Sequence, residues 1–428
     1  MNPLLENGTM ATELLAGYGE EVITPILPCP LSGYGYYLGR QADAVLDDLK
    51  VRAVFVESDE RALLVSADLI GLSVDFCDRL REEIASRFNL PFTHILISCT
   101  HTHSGPATVP LRGMGQVSAP YLKSVQEKIL RATERAFAGR EKKQLRWNAD
   151  KVKSIGYNRV QKASQPLDDL LGVIVFEGKR EKIYVVNYAC HPVSLGVTTQ
   201  ISADFPGRLV KEIESQSSRC VFLQGFCGDI DPVNKKEGGP GSLSEMEGYG
   251  RYLAQAVLNL KKKAELASVV RIRGKEKRVW LPYQRMDIPA IEKEKKRVWE
   301  RGCRSDSNFQ RFLDEWEAEA RAKFHQKEFC CLRNVPVNLL EVGPVTLVGY
   351  PGEVFCELGL KIKEWGFTFF TTGYTNGNVG YLPTRKTYEN RNDYAAYQAP
   401  KIYDTFPFSP EIEEILLTAT RELVLSAG

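Results

Sequence analysis

The stretch VRAVFVESDERALLVSADLIGLSVDFCDRLREEIASRFNLPFTHILISCTHTHSGP, residues 51–106, decides the fold class. Its first two runs, VRAVFVES (51–58) and ALLVSADLIGL (62–72), have the apolar and β-branched composition of strands. FCDRLREEIASRF (76–88) then spaces its apolar residues as a helix does, and HILISCT (94–100) returns to strand. Strand, helix and strand in succession predict an α/β protein with a sizeable sheet. Outward from this stretch the pattern continues with a helix over 121–137, the segment QLRWNADKVK (144–153), and the strands LGVIVFEG (171–178) and KIYVVNYAC (182–190). Later, VNLLEVGPVTLVGYPGE (337–353) reads as two strands turning at Gly343-Pro344, with a helix from Val354 to Trp365. Residues 288–328 are dense in Glu, Lys, Arg and Ala with scattered Trp and Phe, which predicts a charged helical insertion, one long helix or a helix pair with a wet face. No repeat, low-complexity tract or linker divides the chain, so residues 1–428 are read as one interlocked catalytic unit.

Composition narrows the function. With 428 residues, 43% of them hydrophobic, the chain can bury a large core. Lys and Arg total 56 against 54 Asp and Glu, so the net charge of +2 gives no attraction for a polyanion such as nucleic acid, and a small or weakly charged substrate is expected. The N-terminus carries acids where a secretion signal needs bases, and no segment has the apolar length of a membrane span, so a cytoplasmic location is expected. None of the ten cysteines forms a CxxC pair, and Cys77, Cys99, Cys190, Cys220 and Cys356 lie in apolar periodic segments, which predicts reduced, buried thiols.

Histidine is scarce, five in the whole chain, yet His101 and His103 stand together in CTHTHSGP directly after a strand. Residues two apart in extended backbone share a face, so both imidazoles can look into one cleft. His191 ends the strand VVNYAC, and the proline after it biases it to extended backbone. Two strand-end histidines are half of a tetrahedral zinc site, but no HExxH supplies the rest, and hydrogen-bonded structural imidazoles remain an alternative. FLQGFCGDIDPVN (222–234) puts Asp229 and Asp231 at a tight turn, where they either aim an acid at a bound water or bond turn amides. Glu353, between a strand and a helix, is either a ligand or a partner for the helix's positive end. The tyrosine-rich stretch 371–397, broken by Gly and Asn, reads as a long functional loop whose exposed tyrosines pack.

Taken in order, ITPILPCPLSGYG (23–35), SADLIGL (66–72), THTHSGP (100–106), YNRV (157–160), NYACHP (187–192), GDIDPVN (228–234), YPGE (350–353) and NGNVGYLPT (376–384) resemble the neutral/alkaline, non-lysosomal ceramidase family. The resemblance covers nearly the whole chain, and THTHSGP is its most specific signature. It implies the mixed-sheet zinc hydrolase core of that family's catalytic domain, with Zn2+ held by His101, His191, Glu353 and Tyr381. It also implies that His103 and Arg159 contact the carbonyl region of the substrate, and that a later tyrosine, Tyr388 or Tyr394, touches it too. Such a donor set leaves zinc acidic enough to bring a bound water toward pKa 7.

The chain departs from the family in three places. Asp231 stands where the family carries a serine in GD-x-SPN, and a carboxylate there can act as general base on an attacking water. Asp47-Asp48 replaces an early His-Asp element. The sequence runs to Gly428, shortly after the last motif, so the family's immunoglobulin-like C-terminal domain is not expected. The expectation is therefore a zinc-dependent hydrolase of a linear amide, the N-acyl class included, acting on a small amide or lipid-like substrate. Three alternatives stand beside it: a ceramidase proper acting on N-acylsphingosine, a non-catalytic metal-binding protein, and a thiol enzyme using Cys190 or Cys227 beside His191 or Asp231. Sequence sets no oligomeric state.

Overall fold

The computed structural model describes residues 13–162, 166–214, 217–302, 306–325, 332–366 and 368–426. Strands β1 (Leu15–Val22), β2 (Lys50–Glu57), β3 (Arg61–Ala67), β4 (Ile95–Cys99), β5 (Glu141–Lys151), β6 (Leu170–Gly178), β7 (Lys182–Tyr188), β8 (Ser218–Gln224) and the short β9 (Glu265–Leu266) form one sheet. Its order is β8-β7-β6-β5-β1-β2-β3-β4, with β9 also on β5. The pairs β3–β4 and β7–β8 are parallel and the rest antiparallel, so the sheet is mixed.

Period-two alternation with apolar residues on both faces requires two partners for this sheet. On one face Val51, Phe55, Val173, Val186 and Phe222 meet helices α1 (Val74–Phe88), α2 (Ala119–Ala138), α3 (Asp204–Ile213) and α4 (Leu243–Lys262). On the other, Val54, Leu64, Ile174, Val185 and Val221 meet a second sheet of β10 (Ile272–Pro282), β11 (Leu332–Val342), β12 (Val345–Gly349) and β13 (Phe369–Thr372). Between β10 and β11 the chain makes α5 (Ile288–Arg301) and α6 (Ser307–His325), a helix pair; residues 326–328 of that predicted insertion lie outside the described residues. Val335, Val337 and Leu339 of β11 point away from the first sheet, toward α7 (Cys356–Lys363) and α8 (Ile412–Leu425). The result is four layers, helix, sheet, sheet and helix.

One feature of the large sheet positions everything that follows. β4 and β8 are at opposite ends of the strand order, yet Ser66 Oγ in β3 donates to the Phe222 carbonyl in β8 at 2.6 Å. The sheet therefore curls until its edges face each other. Residues just after β13 fill the gap: Gly373 N–H donates to the Gln224 carbonyl (2.9 Å), and Asn376 N–H to that of Ile97 (2.7 Å).

Three boundaries differ from the sequence reading. The run 62–72 is strand only to Ala67, because the Asp68 carboxylate turns to Arg52 (2.8 Å) and the Lys50 amide (2.9 Å). The helix expected from Val354 starts at Cys356, because Glu353–Val354 pairs in parallel with Tyr381–Leu382. The tyrosines of 371–397 are mostly inside: Tyr374, Tyr381, Tyr388 and Tyr397 are buried, and only Tyr394 is substantially exposed, at 46%. Among the described residues the cysteines are unpaired and buried, with Cys303, Cys330 and Cys331 outside them. No helix among the described residues is long and apolar enough to cross a membrane.

Candidate metal centre

The chain leaves β4 at Cys99 and β7 at Tyr188, and the two strand-end histidines follow two and three residues on. His101 takes left-handed backbone, φ +70°, uncommon for a side chain with a Cβ. Its ring faces the turn after β3, where Nδ1 lies 2.5 Å from the Ile70 carbonyl. His191 Nδ1 lies 2.6 Å from the Cys227 carbonyl. A carbonyl can only accept, so each Nδ1 carries the proton and each Nε2 presents its lone pair. Carbonyls in that position orient histidine ligands in metal sites generally.

The free donors converge. Glu353 Oε2 lies 3.2 Å from His191 Nε2 and 3.5 Å from His101 Nε2. His103 Nε2 lies 3.2 Å from His101 Nε2, and donor atoms of the three histidines all lie within 4.8 Å of one another. Two donors bound to one tetrahedral zinc at 2.0–2.1 Å are about 3.3 Å apart, so these separations match the edges of such a polyhedron. Burial, then the neighbouring His101 and His191 imidazoles, push His103 well below the usual imidazole range; burial, then Arg159, lower His191. Both effects favour the neutral, ligating form. Burial alone would raise Glu353, but the imidazoles of His101 and His191 hold it well below the usual carboxylate range.

Neighbouring side chains fix these groups. The His101 ring stacks on Tyr374, centroids 4.0 Å apart. His103 meets the Tyr34 ring edge-on at 5.1 Å, and Arg40 donates to its carbonyl (3.0 Å). Gly33, at φ +94°, lets the backbone pass against the His103 ring, where a Cβ would come within 2.6 Å. Glu353 Oε1 accepts from Tyr403 Oη at 2.5 Å.

Tyr381 stands opposite Glu353 in their two-residue parallel pair. Burial pushes its phenol well above its ordinary range, with Arg159 pulling it back. Arg159 donates from Nη2 to Tyr381 Oη (2.6 Å) and the Gly228 carbonyl (2.8 Å), and from Nη1 to Asp231 Oδ1 (3.0 Å). Asp231 Oδ1 lies 3.9 Å from His191 Nδ1.

A cavity of about 640 Å³ opens onto His101, His103 and Glu353. Ile70, Leu111, Met114 and Ile402, which belong to one apolar cluster, line it together with Val160, Val193 and Ala395, and so do the polar Lys162, Lys235, Asn390 and Asn392. Arg159, Asp231, Tyr381 and Tyr394 also line it, with Tyr394 edge-on to Tyr381 at 5.6 Å, while His191 sits beneath against Glu353. The structure thus gathers His101, His103, His191, Arg159, Asp231, Glu353, Tyr381 and Tyr394. It does not bring Tyr388, whose ring packs on Tyr397 away from the cavity. Asp229 takes the structural alternative, accepting from the Cys356 amide (2.8 Å) at the start of α7 and from Asn158 Nδ2 (2.7 Å). Asp47 likewise serves structure, accepting from Ser202 Oγ (2.6 Å) and the Ala203 amide (2.7 Å). Burial pushes the Cys190 and Cys227 thiols up, the wrong direction for nucleophiles, and neither lines the cavity.

Sequence reasoning missed Tyr403 and Gln224. Tyr403 lies beyond the last motif and gave no signal. Gln224 did give one, a lone amide at the end of an apolar strand.

Among solved structures, the chain is similar to neutral ceramidase from Pseudomonas aeruginosa, with 17% identity and a TM-score of 0.73 over 96% of this chain and 74% of that one. It is equally similar to a ceramidase complexed with C2, with 16% identity and a TM-score of 0.73 over 96% and 75% of the respective chains. No protein-family profile matches the sequence, and no curated protein does. The chain has the neutral ceramidase fold, as its motifs anticipate.

Proposed function

We propose that the chain is a zinc-dependent hydrolase of a linear amide, with zinc held by His101, His191, Glu353 and Tyr381. The observation that carries this reading is the convergence of imidazole nitrogens and a carboxylate, at metal-ligand spacing, beside a cavity large enough for a substrate. A purely structural zinc would be closed off by protein, whereas these donors meet open space. Zinc held by these residues would supply Lewis acidity for an amide carbonyl and for activating a water at neutral pH.

The chain's own residues do the rest. Asp231, steadied by Arg159, accepts the proton of the attacking water and passes it to the departing amine. Arg159 and His103 face the carbonyl oxygen and stabilise the charge that develops there. An acyl chain fits along Ile70, Leu111, Met114 and Ile402, while the lysine and asparagine side chains suit a polar amine portion.

The test is metal analysis of the purified protein together with turnover of an N-acyl amide panel that includes N-acylsphingosine. Asp231→Asn is expected to lose about 10²–10⁴-fold in kcat with zinc retained. Unchanged turnover would remove Asp231 from the mechanism, and a protein without zinc or turnover would refute the proposal.

A further inference from the structure

His101 and His191 follow β4 and β7, which no ladder joins directly, since β4 and β8 end the strand order of the curled sheet and β7 is the neighbour of β8. A ladder would fix their separation to a fraction of an ångström; here something else must. Gln224, the last residue of β8, is fully buried, and its amide reaches across the gap. One Nε2 hydrogen bond goes to the Thr100 carbonyl (3.1 Å) and the other to the Cys190 carbonyl (2.8 Å), while Oε1 accepts from the Cys190 amide (3.4 Å). Thr100 and Cys190 are the residues immediately before His101 and His191. One side-chain amide therefore grips both histidine-bearing segments at the peptide next to the ligand. Its main-chain carbonyl also accepts from Gly373, so the gap-filling segment is tied to the same residue.

We infer that Gln224 is a positioning residue that sets the distance between the two histidine donors, and so tunes the affinity and geometry of the metal site. This rests on the zinc reading above. An apolar residue of the same size would leave two buried carbonyls, each next to a histidine, without that donor.

The measurement is zinc affinity of the full chain by chelator competition, with the visible absorption of the Co(II)-loaded protein as a report on ligand geometry. Gln224→Met is expected to weaken zinc binding by about 10–100-fold, the usual effect of losing an outer partner of a ligand, and to change the Co(II) bands. Should that variant fail to fold, Gln224→Asn keeps the amide but is one methylene too short to span the gap, and the same loss is expected. Ser66→Ala removes another hydrogen bond between the same edges, away from the histidines, and is expected to lower the unfolding midpoint while leaving zinc affinity and the Co(II) bands unchanged. Wild-type zinc affinity and Co(II) bands in the Gln224 variants, or equal changes in Ser66→Ala, would overturn the inference. Failure of the wild type to bind zinc would instead refute the metal reading beneath it.

Discussion

On the floor of the cavity, His101 and His191 are held by backbone carbonyls, those of Ile70 and Cys227. On its C-terminal wall, Glu353 is held by the phenol of Tyr403, and Tyr381 by Arg159, which is itself held by Asp231. The difference matters because a carbonyl survives any substitution of its own residue, whereas a side-chain partner vanishes with a single change. The floor is therefore robust to local mutation and the wall is adjustable.

Substitutions can break or sharpen that contrast. The largest effect is expected from His191→Ala, which removes a floor donor outright. Zinc affinity measured by competition should fall by more than about a hundredfold, beyond what loss of an outer partner causes.

Next comes the tie between floor and wall, Asp229, whose carboxylate follows β8 and accepts from the first amide of α7. Burial pushes its carboxyl up to about 6, above the ordinary 3.8. The folded state thus holds this proton where the unfolded chain has lost it. That contribution to stability is complete below about pH 4 and disappears as pH rises to 6, a span worth about 2–3 kcal/mol. Denaturant titrations of Asp229→Asn are expected to show a flatter fall in stability between pH 4 and 6 than wild type, with zinc content unchanged. An unaltered slope would deny Asp229 this role.

A smaller effect is expected on the wall. Tyr403→Phe deletes the hydrogen bond to Glu353 Oε1 and should weaken zinc binding by about tenfold. The smallest is expected on the floor from Cys227→Ala, which keeps the carbonyl that His191 uses; zinc affinity should match wild type, and turnover should persist. If Cys227→Ala weakened zinc as much as Tyr403→Phe, the contrast between floor and wall would collapse.

The same contrast explains what could be read from sequence. The strand ends that hold His101 and His191 were legible because local alternation and abrupt polar residues mark them without any tertiary information. Glu353 and Tyr381 came from motif order, and their parallel pairing, 28 positions apart in the chain, has no local signature. Asp229 and Asp231 looked equivalent two residues apart. What separates them is the amide of Cys356 on one side and the Arg159 guanidinium on the other, both far away in sequence. The buried tyrosines of 371–397 were misread because Gly and Asn signal turns, and turns do not say whether a segment lies on the surface or plugs a gap between sheet edges. The layering of a second sheet on the first was likewise invisible, since strands apolar on both faces do not name their partner.

The curled sheet with its late plug also constrains the order in which the protein can be made. The facing edges are complete once Gln224 is joined, but the segment at 371–376 that bridges them, and the ring of Tyr403 that steadies Glu353, are synthesised some 150 residues or more afterward. Contacts so distant along the chain close slowly. A nascent chain still lacking that segment has the Gln224 and Ser66 bonds between the edges but neither the Gly373 and Asn376 bridge nor the Glu353–Tyr403 pair, so the donor cluster is completed only after residue 403 has been made.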